Sequence, residues 1–126
     1  MTTTSLPIKG LYEITIRVKD LARAGSFYKE VLGLQEGRHD KRRIWLLFYT
    51  GNNAGRIVLQ EDKGDWSTQH VAFTVSEADL DRAAAMLKDK GVTVSELVHQ
   101  EWLNADSVYF EDPDGHALEL IALPGS

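Results

Sequence analysis

The 126-residue sequence contains no cysteine, which excludes a disulfide framework, a thiol nucleophile and any cysteine-ligated metal site. Basic charge is also short, with 14 Lys and Arg against 19 Asp and Glu and a formal net charge of −5. General nucleic-acid and anionic-membrane surfaces need a basic patch, so neither is expected as a partner. The one basic run, Lys41-Arg42-Arg43, reads as a solvated turn. No apolar run approaches the roughly 20 residues that span a bilayer. The first ten residues are polar and Thr-rich without the apolar centre of a signal peptide, so a cytoplasmic protein is expected.

What is present is the ordinary composition of one globular domain, 43% hydrophobic and long enough to bury a core. The most informative stretch runs from Tyr109 to Ile121. Asp112-Pro113-Asp114-Gly115 supplies a preset φ and a glycine that accepts positive φ between two apolar runs, which predicts a β-hairpin. In the second strand Glu119 shares a face with Ala117 and Ile121, while Leu118 and Leu120 occupy the other. A strand apolar on both faces is buried, and a lone ionised carboxylate there costs several kcal/mol unless it meets a counter-charge, donors or a metal.

The rest of the chain supplies partners through a repeat. After an N-terminus expected to be flexible over residues 1–9, Leu11 to Val18 alternates as a half-buried strand, and Asp20 is placed to cap a helix that Gly33 ends. Strands are predicted near Leu34–Arg38, Ile44–Tyr49 and Arg56–Gln60, with a turn at Gly51-Asn52-Asn53. The second half repeats this order. Gln69 to Val75 has the pattern of Tyr12 to Val18, with His70 standing 57 positions after Glu13. Ser76 is placed to cap a second helix ending at Gly91, and strands follow near Val92–Leu97, Ser107–Phe110 and Ala117–Ala122. The reading is α+β, a tandem duplication of a βαβββ unit over residues 10–60 and 69–123. In that register Glu13, His70 and Glu119 head for one cleft, and two carboxylates with an imidazole make a divalent-metal site by ligand type.

Val18-Lys19-Asp20-Leu21, Phe27 to Leu34, His70-Val71-Ala72-Phe73 and Asp112 to Leu120, set in the duplicated unit, closely resemble the vicinal oxygen chelate superfamily. This is the glyoxalase, bleomycin-resistance, fosfomycin-resistance and extradiol-dioxygenase fold, and the resemblance spans roughly residues 10 to 123. It implies one curved mixed sheet and places the family's metal ligands on Glu13, His70 and Glu119. Glyoxalase I is similar but has a fourth ligand, Glu, where this chain has Val58, with Gln60 two residues on. The fosfomycin-resistance thiol transferases are similar in using three protein ligands. Their substrate-contacting Thr and Tyr fall on Thr15 and Tyr109, and their C-terminal basic residue falls past residue 126. The resemblance also implies a homodimer whose two clefts each combine Glu13 of one copy with His70 and Glu119 of the other.

The expected activity is that of a metal-dependent enzyme on a small oxygen-rich substrate, lyase or isomerase first, transferase or dioxygenase after. The ion would be Mn, Fe, Ni, Co, Zn or Mg. Glu13, as ligand or base, and Tyr109, as acid/base aid, are the expected catalytic groups, with Glu61 an alternative proton carrier. Thr15, Arg17, Tyr49, Gln60, Trp102, Ser107 and Tyr109 are the expected substrate contacts. Two other readings stay open on the residues alone. Arg17 can neutralise the carboxylates without a metal, and the cleft can be a metal-free binding module of the bleomycin-resistance type for a cationic aromatic guest. His99 and His116 read as surface or turn residues.

Overall fold

The computed structural model describes residues 5–51 and 55–126, so Asn52 and Asn53 of the expected turn, and residues 1–4, lie outside the described residues. In β1 (Ile14–Val18) alternation puts Ile16 and Val18 in the core and leaves Thr15 and Arg17 exposed. Asp20 then caps α1 (Leu21–Ser26), accepting from the Arg23 N–H at 3.0 Å, and that bond holds its carboxyl below the ordinary range. The helix runs straight into a π-helical turn over Phe27–Val31, which the sequence periodicity does not show. Gly33, at φ 70°, ends it. Gly25 lets α1 approach β3, since a Cβ there would lie 2.9 Å from Leu46.

Three strands complete the first sheet: β2 (Gln35–Asp40), β3 (Trp45–Thr50) and β4 (Gly55–Glu61), in the order β1-β4-β3-β2. The second half contributes β5 (His70–Val75), α2 (Leu80–Asp89), β6 (Val98–Gln100), β7 (Ala105–Glu111) and β8 (Ala117–Ala122), in the order β5-β8-β7-β6. In each sheet the first strand pairs parallel with the last and the remaining pairs are antiparallel. The fold is α+β, two four-stranded mixed sheets with two helices, and Val18, Tyr28, Phe48 and Leu59 of the first half share one core with Val108, Leu118 and Leu120 of the second.

Some boundaries differ from the expectation for local reasons. β1 starts at Ile14 rather than Leu11, and residues 11–13 before it are exposed. Residues 92–97 form no strand. Ser95 instead bonds Tyr109 on β7, its N–H donating to the carbonyl and its Oγ accepting from the N–H, both at 2.9 Å. Ser76 does not cap backbone, since its hydroxyl donates to Asp79 Oδ2 at 2.9 Å and a short 3₁₀ turn, Glu77–Asp79, precedes α2.

His116 is the clearest correction. It is 0% exposed, stacked on Trp66 with ring centroids 5.4 Å apart. Its Nδ1 accepts the Gln69 N–H at 2.9 Å, which leaves Nε2 to carry the proton and donate to the Arg17 carbonyl at 2.6 Å. The hairpin turn therefore folds back onto the first half. Asp112 accepts from the buried Tyr28 hydroxyl at 2.8 Å, and Asp114 from the Lys19 N–H at 2.9 Å and from Arg23 at 3.2 Å. Among the described residues no helix is long and apolar enough to cross a membrane.

Candidate metal site

The parallel register of β5 and β8 pairs His70 with Ala117 and Ala72 with Glu119, and β7 pairs Tyr109 with Glu119. Side chains two apart on a strand share a face, so His70, Glu119, Tyr109 and Ser107 project together, opposite Val71, Leu118 and Phe110 of the core. Glu119 is 5% exposed. Its Oε1 lies 2.8 Å from His70 Nε2 and its Oε2 accepts from the Ser107 hydroxyl at 2.6 Å. The burial cost anticipated for this carboxylate is thus met by two side chains, one on each oxygen. The His70 side chain is 57% exposed, so the pair is open to solvent on that side.

By donor type the pair suits a divalent ion, and in this structure the two atoms are in direct hydrogen-bond contact. A hard carboxylate oxygen with an imidazole nitrogen is an appropriate set for the ions named above, and Ser107 supplies the outer hydrogen bond that fixes the carboxylate. The Tyr109 ring lies 6.3 Å from the His70 ring. Gln100 Nε2 donates to the Tyr109 hydroxyl oxygen at 2.5 Å, so the phenolic proton is not used in that bond. Gln100 was not anticipated. Its signal was the alternation of Val98 and Gln100 opposite Ser107 and Ala105, legible only once β6 is placed.

The other expected residues lie elsewhere. Among the described residues no group of three His, Asp or Glu side chains is close enough to hold an ion, so Glu13 does not join His70 and Glu119 within one chain. Glu13 is exposed just before β1. Thr15 is exposed on the first sheet, paired with Val58 as Ala72 is paired with Glu119, which makes Val58 the structural counterpart of Glu119. Arg17 bonds Asp62 at 2.7 Å and does not neutralise Glu119. Gln60 spends its amide on the Arg43 carbonyl at 2.7 Å. Tyr49 lies against Arg56, and Trp102 is 80% exposed in the turn between β6 and β7. Glu61, at the end of β4, accepts from the Leu21 N–H at 2.9 Å and helps start α1.

Comparison with known proteins places the whole domain. Residues 10–120 match the Glyoxalase/Bleomycin resistance protein/Dioxygenase superfamily. The chain is 33% identical over 120 residues to a metallothiol transferase FosB of Staphylococcus epidermidis, covering 90% of this chain and 83% of that protein. It is 31% identical over 120 residues to a glutathione transferase FosA of Serratia marcescens, covering 90% and 80% respectively. A solved integron cassette protein from the mobile metagenome of the Halifax Harbour sewage outfall superposes with a TM-score of 0.88 at 44% identity, over 92% of this chain and all of that one.

Proposed function

From the premise that this chain belongs to the Glyoxalase/Bleomycin resistance protein/Dioxygenase superfamily, we propose that it is a divalent-metal-dependent transferase acting on a small oxygen-rich substrate. The observation that carries the reading is the 2.8 Å approach of His70 Nε2 to Glu119 Oε1 on a face shared with Tyr109. The two curated relatives are named as thiol-linked transferases, which supports transfer ahead of the lyase or isomerase chemistry expected from the sequence.

In this reading His70 and Glu119 hold the ion, which supplies Lewis acidity toward substrate oxygens when bound. Ser107 keeps one Glu119 oxygen oriented, leaving the other toward the cleft. In thiol addition a sulfur–carbon bond forms, a carbon–oxygen bond opens, and the freed oxygen takes the proton that the thiol gives up. Tyr109, held by Gln100, is placed to donate a hydrogen bond to that oxygen. Glu13 of a second copy completes the ligand set in a homodimer, with Thr15 two residues on facing the substrate.

The test is titration of metal-free protein with Mn²⁺, Ni²⁺ and Zn²⁺, with His70→Ala as control, followed by thiol consumption with glutathione as donor and fosfomycin as acceptor. Tight binding that the substitution abolishes, and metal-dependent loss of thiol, are expected. Weak binding unchanged by His70→Ala would rule out the enzyme and favour a metal-free binding module.

A further inference from the structure

The segment before β1 carries apolar side chains that the chain's own fold leaves bare. Residues 5–13 are all exposed, with Leu6, Ile8 and Leu11 at 78%, 76% and 73%. The Ile8 N–H donates to the Leu6 carbonyl at 2.8 Å, a bond internal to the segment that ties it to nothing else. Three large aliphatic side chains bared within six residues mark an interaction surface rather than scattered exposure.

A second bare apolar set lies at the edge of the other sheet. β6 and the turn that follows it expose Val98, Trp102 and Leu103. Val98 pairs with Ser107, so it stands on the sheet face that carries Ser107 and Glu119. The order β5-β8-β7-β6 puts β6 two strands from Glu119, about 10 Å away. In the shared-cleft homodimer Glu13 of one copy reaches Glu119 of the other, so the chain just before Glu13 starts from this same face. An extended chain covers about 3.3 Å per residue, which puts Leu11 within about 7 Å of Glu13 and Ile8 within about 17 Å, far enough to reach β6. The charges also correspond. Lys9 is the one ionic side chain of residues 5–12 and Glu101 that of residues 101–104, and neither is in an ion pair among the described residues.

We propose that residues 5–11 of each copy form an arm that docks on the second copy, Leu6 and Ile8 against Val98, Trp102 and Leu103, with Lys9 facing Glu101. The inference rests on the shared-cleft homodimer of the transferase reading and adds an interface that the metal ligands do not require. Docking removes from water the aliphatic and indole surface that each chain alone leaves exposed. The opposite charges fix the direction in which the arm lies. Trp102 is then the anchor of the contact, and the arm covers the β6 side of the cleft.

The sequence has no cysteine, so single engineered cysteines report this contact without background. Metal-free full-length Ile8→Cys and Trp102→Cys chains are mixed in equal amounts, unfolded, refolded and oxidised, and covalent dimer is read on a non-reducing gel. Random pairing puts one chain of each kind in half of the dimers, so up to about half of the protein is expected as covalent dimer. At least tenfold less is expected when Asp81→Cys, exposed on α2, replaces Trp102→Cys. Ile8→Ser is expected to weaken dimerisation at least tenfold in sedimentation equilibrium. Dimers that link no more than the Asp81→Cys control, or dimerisation unchanged by Ile8→Ser, overturn the arm and leave the shared cleft standing. A monomeric wild type overturns both. Ile8 lies outside every strand and helix and Trp102 is exposed in a turn, so both cysteine variants keep the core intact. Linking needs no metal, so linked dimers without metal binding would uphold the arm and sink the transferase.

Discussion

His70 and Glu119 meet at 2.8 Å although 49 residues separate them in sequence, because β5 and β8 lie side by side in parallel with His70 level with Ala117. Diagonal neighbours on one sheet face stand about 7–8 Å apart at the backbone, within reach of two long side chains. Ser107 completes the arrangement from β7.

That third contact is open to a direct test. Ser107→Ala removes the donor on Glu119 Oε2 without touching either ligand, and metal affinity should fall by about 10–100-fold. Competition titration against a chelator measures it. An unchanged affinity means that the hydroxyl does not orient the carboxylate.

The separation of Glu13 from this pair within one chain makes subunit complementation decisive. Glu13→Ala and His70→Ala variants should each bind metal poorly, yet mixed after unfolding and refolding they should regain about a quarter of the wild-type site count, since half the random dimers hold one intact site. No recovery, or a 14.1 kDa species at all concentrations, contradicts the shared cleft.

Tyr28 and Asp112 predict a stability effect. Tyr28→Phe leaves a buried Asp112 oxygen without its donor and should cost about 1–3 kcal/mol in urea unfolding. Burial raises the Tyr28 hydroxyl far above its ordinary value of 10, with Asp112 adding to the shift. The unfolded chain therefore ionises first, and wild-type stability should decline as pH rises through about 10. That part of the alkaline decline should be missing from Tyr28→Phe.

His116→Leu keeps approximate size but strands the Gln69 N–H and the Arg17 carbonyl, so about 2–4 kcal/mol should be lost. The near-ultraviolet signal of Trp66, which stacks on the imidazole, should change with it. A variant as stable as wild type would mean that the turn is not an important clasp between the halves.

On the acid side, Asp20, Asp40 and Asp79 all have carboxyls held below their ordinary value of 3.8, chiefly by hydrogen bonds from the Arg23 N–H, the Arg43 N–H and the Ser76 hydroxyl respectively. Their stabilisation is present above the unfolded value and lost as pH falls through the lower folded values. Asp20→Asn should flatten the fall in stability below about pH 4 without moving the alkaline limb. Thermal melting across pH 2–11 checks both limbs.

The sequence alone carries the duplicated order of strands and helices, because alternation and helical spacing are local properties, and Gly33 and Gly91, both at positive φ in the structure, mark the helix ends. It also determined that Glu119 needs partners, since a carboxylate between Leu118 and Leu120 cannot stay buried alone. Tertiary structure decided who those partners are. Ser107 and His70 reach Glu119 through strand register, Arg17 turns to Asp62, and Glu13 stays apart from the pair. It also turned His116 from an expected turn residue into a buried clasp, because alternation says which way a side chain leaves its strand but not what the rest of the chain will fold over it.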